Sequence, residues 1–285
     1  MSSSPRSGSP RRLRRIPEAI GAGVLGGLEA LANAVRYVGG LTSLFGGVLE
    51  RVGAAVARRS ARIRVAALAE QCFRFGIRSL PIVMLVQVFI GLILVLNLAP
   101  TLESYGQLER VADVVAIAML RELGPLITAV LLSGFAGASI AAELGTMVEG
   151  EEIKAMRAHA LDPVRFLVAP RMIATAFVMI GLTVIADICG VLGGLGTAVF
   201  VLDVRPAIYL DLTRSAVGVS DYATGLFKGF VFGATISGLA CYEGLNVRGG
   251  AEGVGLATTT TVVKSIVALI AIDCVFTAVF YVLGW

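Results

Sequence analysis

Three charged side chains stand inside long apolar segments of this sequence: Asp187, Lys228 and Asp273. A single charge in hydrocarbon costs at least ~2.5–3.5 kcal/mol, so such residues pair with one another, conduct ions or move protons. Counting 1.5 Å per helical residue from one end of each segment places all three at a depth of about 21–22 Å. The shared depth predicts an intramembrane charge cluster in which Lys228 is bridged to Asp187, to Asp273 or to both. We expect this cluster to be mainly structural, with a conformational switch or a proton path as the alternative.

Two further charges, Arg121 and Glu122, open the sequence RELGP, which continues with Leu123, Gly124 and Pro125. A proline within a helical pattern removes one backbone hydrogen bond and tends to bend the helix. Counting 1.5 Å per residue from the polar break at Glu143 puts Glu122 about 30 Å away, near the far edge of a membrane. The pattern predicts a bend close to one membrane surface, with a charge pair beside it.

A short polar segment follows the uncharged stretch 123–142, which is long enough to cross ~30 Å of hydrocarbon as a helix. This segment carries Glu149, Glu151, Glu152, Lys154 and Arg157. Asp162 and Pro163 then fit the N-cap and the first position of the next helix. We predict a short charged helix outside the membrane, in the position of a docking element, with a solvated loop helix as the alternative.

The sequence lacks the residues of most catalytic sites. It has no GxxxxGK[ST] phosphate-binding loop, so ATP hydrolysis is not expected on this chain, and His159 is the only histidine. Pairs of small residues four positions apart indicate close helix packing rather than a nucleotide-binding loop. The pairs are Gly190 with Gly194, or Gly134 with Ala138. The four cysteines show no paired spacing, which indicates packing residues. We therefore expect no catalytic residue, no metal and no cofactor.

The composition places these residues on membrane helices. Of the 285 residues, 56% are hydrophobic and only 15% are charged, against about 25% charged in soluble domains. Five apolar stretches are long enough to span a bilayer: 80–99, 123–142, 172–202, 222–242 and 257–283. The predicted fold class is all-α, a polytopic membrane protein with about five transmembrane helices.

The first 40 residues are predicted to form a basic tail and an amphipathic lead-in, separate from a domain over residues 41–285. Residues 1–15 hold five arginines and no acid, which indicates disorder and a cytoplasmic N-terminus. With five spans, the C-terminus lies on the opposite side. An amphipathic helix in the membrane interface is predicted from the helical spacing of apolar residues, followed by arginines: Leu41, Leu44, Phe45, Val48, Leu49 and Val52, then Arg51, Arg58 and Arg59.

Several motifs of this sequence resemble those of the MlaE/YrbE family of ABC-transporter permeases. They are RELGP at 121–125, AELGTM at 142–147, LDP at 161–163 and GGAEGVGLATTTTVV at 249–263. Lys228, Phe232-Gly233 and Asp273 agree with the same family. The resemblance covers about residues 40–285.

The resemblance implies a permease subunit, not an enzyme. Such a subunit moves phospholipid or a related lipid between the bacterial inner membrane and a periplasmic MCE-protein carrier. The implied partners are a cytoplasmic ABC ATPase that binds the ATP, an MCE-domain protein, lipid and a second permease protomer in a homodimer. No nucleic acid is expected. The N-terminus would be cytoplasmic and the C-terminus periplasmic.

The resemblance also implies roles for two of the polar segments. The sequence RELGP is expected to shape the outer mouth of a lipid pathway between two protomers, where Arg121 would meet a phosphate and Glu122 would hold that arginine or line the portal. A simple interfacial charge pair is the alternative. The coupling helix that inserts into the ATPase is expected to comprise Glu151, Glu152, Ile153, Met156 and Arg157. Ile153 and Met156 fall on one helical face, which we expect to face the cytoplasm, and the charges would fix the register.

Two positions depart from the family pattern. Phe135 stands where members often have arginine, and Glu152 stands where they commonly have glutamine. Two other functions compete with the permease. One is a stand-alone secondary transporter or channel that uses the intramembrane charges. The other is a structural scaffold for an envelope complex, without transport.

Overall fold

A computed structural model describes residues 32, 35–51, 53 and 65–284. The chain divides into a unit Met1–Leu44 and a larger unit Phe45–Trp285. In the first unit, residue 32 and residues 35–44 are helical. The predicted disorder of residues 1–15 and the arginines at 58 and 59 lie outside the described residues.

The predicted amphipathic helix is present over residues 35–51, named α1. In its second part, Val48 is buried and the Phe45 ring lies against the backbone of Gly238. Leu49, predicted to belong to the apolar face, is 71% exposed. The second part of the helix therefore buries a narrower apolar stripe than the sequence pattern predicted.

Every regular element in the described residues is a helix. The five long helices contain candidate membrane spans at Leu68–Ser104 (α2), Leu108–Glu149 (α3), Val164–Leu202 (α5), Val219–Leu245 (α7) and Gly250–Leu283 (α8). Two short helices lie between them, Glu152–Ala158 (α4) and Pro206–Ala216 (α6). Each of the five is long and apolar enough to cross a membrane, which confirms the predicted fold class.

Helices α2 and α5 pack closely because glycines line their contact. A Cβ at Gly91 would lie 1.9 Å from the Gly190 carbonyl oxygen, and one at Gly193 would lie 2.3 Å from that of Val88. The two backbones could not approach so closely with larger residues. Gly134, the other predicted packing glycine, has open space around its Cβ position. The small-residue prediction therefore holds for α5 and not for that part of α3.

Three of the long helices contain a π-helical turn next to a proline. The turns are Phe73–Ile77, Met119–Leu123 and Val164–Val168, and the prolines are Pro81, Pro125 and Pro170. A proline cannot donate to the carbonyl four residues before it, and its ring clashes with that carbonyl. In each case that carbonyl belongs to a residue of the π turn. The predicted disturbance at Pro125 therefore takes the form of a π turn that contains Arg121 and Glu122.

Candidate functional site: a charged cavity between three helices

Lys228 of α7 is the centre of the site, with only 1% of its side chain exposed. Its ammonium group donates hydrogen bonds to Glu122 Oε2 at 2.6 Å and to Thr277 Oγ1 at 2.9 Å. The Asp273 carboxylate lies 2.9 Å from the same nitrogen. Because Glu122 is on α3 and the other two residues are on α8, one buried cation connects three long helices. The pairing of Lys228 with Asp273 is one of the three alternatives that the depth count predicted.

Asp187, the third residue of the predicted cluster, forms no salt bridge with Lys228. Its carboxylate lies against α3, where a Cβ at Gly124 would come within 1.7 Å of Asp187 Oδ1. The side chain is buried, and Oδ1 has no hydrogen-bond partner among the described residues. Depth along a helix axis does not determine which face a residue occupies, so equal depth did not bring Asp187 to the lysine. The structure therefore forms the predicted bridge from Lys228 to Asp273 and leaves Asp187 outside it.

Glu122 and Thr277 complete the cluster. Thr277 accepts from Lys228 and donates to Glu122 Oε1 at 3.1 Å, so its hydroxyl links the two charged groups. Residue counting placed Glu122 near the outer membrane edge and Lys228 about 21 Å from the cytoplasmic edge. The two side chains are nevertheless in contact. Thr277 follows Asp273 by four residues, so both lie on one face of α8. That spacing is the sequence signal that could have identified the threonine.

Arg121 lies beside a different carboxylate. Its Nε atom is 3.6 Å from Asp221 Oδ1, near the start of α7. The other oxygen of Asp221 accepts the Gly218 backbone N–H at 2.8 Å, which fixes the carboxylate at the helix N-terminus. Glu122 therefore binds the lysine, and Asp221 forms a salt bridge with the arginine.

A cavity of about 310 Å³ opens onto these groups. It is lined by Ile117, Ala118, Arg121, Glu122, Thr224, Lys228, Thr277, Phe280 and Tyr281. The other three residues of the predicted lipid pathway do not line the cavity. Leu123 packs against the hydrophobic core, and Gly124 and Pro125 are buried. Arg121 and Glu122 keep 31% and 35% of their side chains exposed, so they are the charges that a ligand in the cavity could reach.

The predicted coupling helix forms α4, which follows a left-handed residue at Glu151. Ile153, predicted to lie on the docking face, is buried against its own chain with 6% exposure. Met156 is half-buried, whereas Glu152 and Arg157 are exposed. Glu151 accepts from Lys154 at 2.7 Å, and this contact lowers the pKa of Glu151 and raises the pKa of Lys154. The surface that α4 offers to a partner is therefore mostly charged.

A network of charges joins three long helices near the end of α3 that leads to α4. Glu143 of α3 forms salt bridges with Arg74 of α2 and, at 3.2 Å, with Arg171 of α5. Arg74 also donates to Ser139 Oγ at 3.2 Å. Arg171 is 11% exposed at its side chain and donates to the Leu167 carbonyl. Sequence reasoning used Glu143 only as a membrane boundary and missed this network.

The residues after α4 are held in the same region. The Val164 backbone N–H donates to Asp162 Oδ1 at 3.0 Å, which is the N-terminal cap that the Asp162-Pro163 pair predicted. The other Asp162 oxygen pairs with Arg51 of α1. Helix α4 is therefore followed by a segment that is fixed both to α5 and to the amphipathic helix.

The fold and the site define a multi-pass helical membrane protein with a charged cavity between its helices. The family model described as Permease MlaE matches residues 68–279. A probable ABC transporter permease protein of Rickettsia prowazekii is 36% identical over 211 residues, covering 74% of this chain and 82% of the relative. The intermembrane phospholipid transport system permease protein MlaE of Haemophilus influenzae is 30% identical over 233 residues, covering 81% and 89%.

A plant relative extends the comparison beyond bacteria. The chloroplastic protein TRIGALACTOSYLDIACYLGLYCEROL 1 of Arabidopsis thaliana is 33% identical over 214 residues, covering 74% of this chain and 61% of the relative.

The chain belongs to the MlaE permease family, as the motifs predicted. It is a transport subunit of the ABC permease type rather than an enzyme.

Proposed function

We propose that this permease moves phospholipid between the bacterial inner membrane and a periplasmic MCE-domain carrier, driven by a separate ATPase. The observation that carries the proposal is the cavity of about 310 Å³ that exposes Arg121 and Glu122 between membrane-spanning helices. The name of the Haemophilus influenzae relative, an intermembrane phospholipid transport permease, supports phospholipid as the substrate.

The lining of the cavity suits one end of an amphiphile. Charged and hydroxyl groups lie at its centre, and Ile117, Phe280 and Tyr281 supply apolar surface. Ligand pockets usually measure about 300–1,000 Å³, so this cavity would hold a head group and the first part of its chains. Arg121 would bind the phosphate, because a guanidinium forms strong paired hydrogen bonds with phosphate oxygens.

The energy for transport would enter through α4. The sequence contains no phosphate-binding loop of the Walker type, so a partner would bind and hydrolyse the ATP. The exposed charges of α4, Glu152 and Arg157, would set the register of that contact. Buried Ile153 would hold α4 on α3 rather than enter the partner.

The orientation and assembly follow from the same proposal. In the proposed orientation the arginine-rich first 15 residues lie in the cytoplasm, and with five spans the C-terminus would lie in the periplasm. Helix α8 has only 6% of its most apolar window buried within this chain. An extensive face is therefore available for lipid or for a second permease protomer.

Affinity purification from the native membrane tests the proposal. We expect an ATPase and extractable phospholipid to copurify with the tagged permease in mild detergent. Loss of both, with the permease still monodisperse, would contradict the proposal. Lipid-dependent activity without any ATPase would instead favour a stand-alone transporter, and ATPase without bound lipid would favour a scaffold.

A further inference from the structure

We propose that the cavity selects zwitterionic, amine-bearing phospholipids over anionic phospholipids, and that Glu122 determines this preference. The inference rests on the proposed function, since it concerns the head group of the lipid in the same cavity. It goes beyond that function because it assigns a substrate class and the residue that discriminates.

The first observation is the balance of charge around the cavity. The connected groups comprise two cations, Arg121 and Lys228, and three carboxylates, Glu122, Asp221 and Asp273. Among these five groups the carboxylates outnumber the cations by one. Between low-dielectric helices such an excess interacts strongly with the charge of a ligand. A ligand that adds a further net negative charge is disfavoured, and one that brings its own cation is not.

The second observation is which charges a ligand can reach. Lys228 has 1% of its side chain exposed and is enclosed by Glu122, Asp273 and Thr277, so it is not available to a phosphate. Arg121 and Glu122, with 31% and 35% exposure, both line the cavity. The accessible surface therefore presents one guanidinium and one carboxylate on adjacent residues.

A zwitterionic head group matches this pair of charges. The phosphate of phosphatidylethanolamine would accept from Arg121, and its ammonium would donate to Glu122. The phosphate of phosphatidylglycerol could use the arginine equally well, but its glycerol end offers no charge to the carboxylate. Specificity then comes from both an added attraction and an added repulsion. One charged hydrogen bond corresponds to a preference of roughly tenfold.

Lipid competition on the purified full chain tests the inference. The permease is incubated with vesicles of equal parts phosphatidylethanolamine and phosphatidylglycerol, repurified, and its bound lipids are quantified by mass spectrometry. We expect the wild type to hold roughly tenfold more phosphatidylethanolamine. Glu122→Gln should bring the ratio close to one, because it removes the ammonium partner and the excess negative charge. Arg121→Gln should reduce binding of phosphatidylglycerol more than of phosphatidylethanolamine, because the net charge becomes more negative.

Matched controls separate the site from general charge effects. Glu103→Gln removes one carboxylate from an exposed position on α2 and should leave the ratio unchanged. Glu122→Asp keeps the charge and should keep the preference, which guards against a variant that simply fails to fold. Bound lipid in a one-to-one ratio, or enriched in phosphatidylglycerol, would overturn the inference and leave the proposed function standing. Absence of bound phospholipid would overturn both.

Discussion

At the scale of single residues, Lys228 joins α3, α7 and α8 through one buried ammonium group. Removing it would leave Glu122 and Asp273 without their shared counter-charge inside the membrane. Breaking a buried ion pair by deleting one partner typically costs roughly 3–5 kcal/mol. Lys228→Met should therefore lower the thermal stability of the purified protein strongly, as measured by its apparent melting temperature in detergent.

Two comparisons make that prediction specific. The triple variant Lys228→Met, Glu122→Gln, Asp273→Asn should recover much of the loss, because no uncompensated charge remains. Lys154→Met is the matched control, since Lys154 pairs with Glu151 and keeps 75% of its side chain exposed. It should leave the melting temperature nearly unchanged, because exposed ion pairs contribute little to stability. An equal loss of melting temperature in the two lysine variants would show that the Lys228 cluster is accessible to water rather than shielded from it.

A second residue-scale prediction concerns the contact between Gly124 and Asp187. A Cβ at Gly124 would meet Asp187 Oδ1 at 1.7 Å, so Gly124→Ala should destabilise the protein by about 1–3 kcal/mol. Replacing Asp187 by alanine in the same chain removes the clashing oxygen and should restore part of the stability. Thermal melting of both single variants and the double variant measures the coupling. Additive effects would contradict the contact.

These residues show how far the sequence predicts the site. Hydropathy identifies the helices and the approximate depth of a charge, so Lys228 and Asp273 could be paired in advance. Rotation about the helix axis is not visible in such a count, so Asp187 was assigned to the wrong face. The contact of Glu122 with Lys228 was not predicted, because the count assumed an uninterrupted α-helix, whereas α3 contains π turns at Met119–Leu123 and Ser133–Gly137.

At the scale of elements, Glu143 links α2, α3 and α5 close to the end of α3 that leads to α4. Glu143→Gln should loosen this junction because two arginines lose their common carboxylate. We expect the variant to lose roughly 1–3 kcal/mol of stability, towards the lower end because the Glu143 side chain is 25% exposed. We also expect a lower ratio of lipid transport to ATP hydrolysis. Glu252→Gln, at an exposed position on α8, is the matched control. An unchanged transport-to-hydrolysis ratio would show that the network is structural only.

A second prediction at this scale separates the two faces of α4. Arg157→Glu changes an exposed charge and should leave the fold intact while reducing ATPase copurification. Ile153→Asp places a charge in a buried position and should instead destabilise α4 itself by several kcal/mol. The two variants are compared by melting temperature and by the amount of copurified ATPase. Full ATPase retention by Arg157→Glu would contradict the docking role of this face.

Helix α4 also shows why sequence alone misjudged the docking face. Its spacing correctly placed Ile153 and Met156 on one side of a short helix. The pattern could not show whether that side meets a partner or the protein's own helices, since both environments favour apolar residues. Because Ile153 is buried in the folded chain, it packs against the protein's own helices.

At the scale of the whole molecule, three of the five long helices create a cavity whose charges would be too costly in lipid if they were isolated. The long charge-poor stretches made this architecture predictable, because only helices satisfy every backbone group within a single membrane segment. The cavity was less predictable, because its lining combines residues of α3, α7 and α8 that are far apart in sequence.

ATP-dependent transfer of labelled phospholipid tests the central claim most directly. Proteoliposomes would contain the permease with its ATPase, and transfer to a soluble MCE domain would be measured with and without ATP. We expect ATP-dependent transfer by the wild type and by Glu103→Gln. Arg121→Ala and Glu122→Ala should transfer roughly tenfold less at equal protein content, since each removes a charged contact with the head group. Transfer at the wild-type rate by both cavity variants would contradict the claim that phospholipid passes through this cavity.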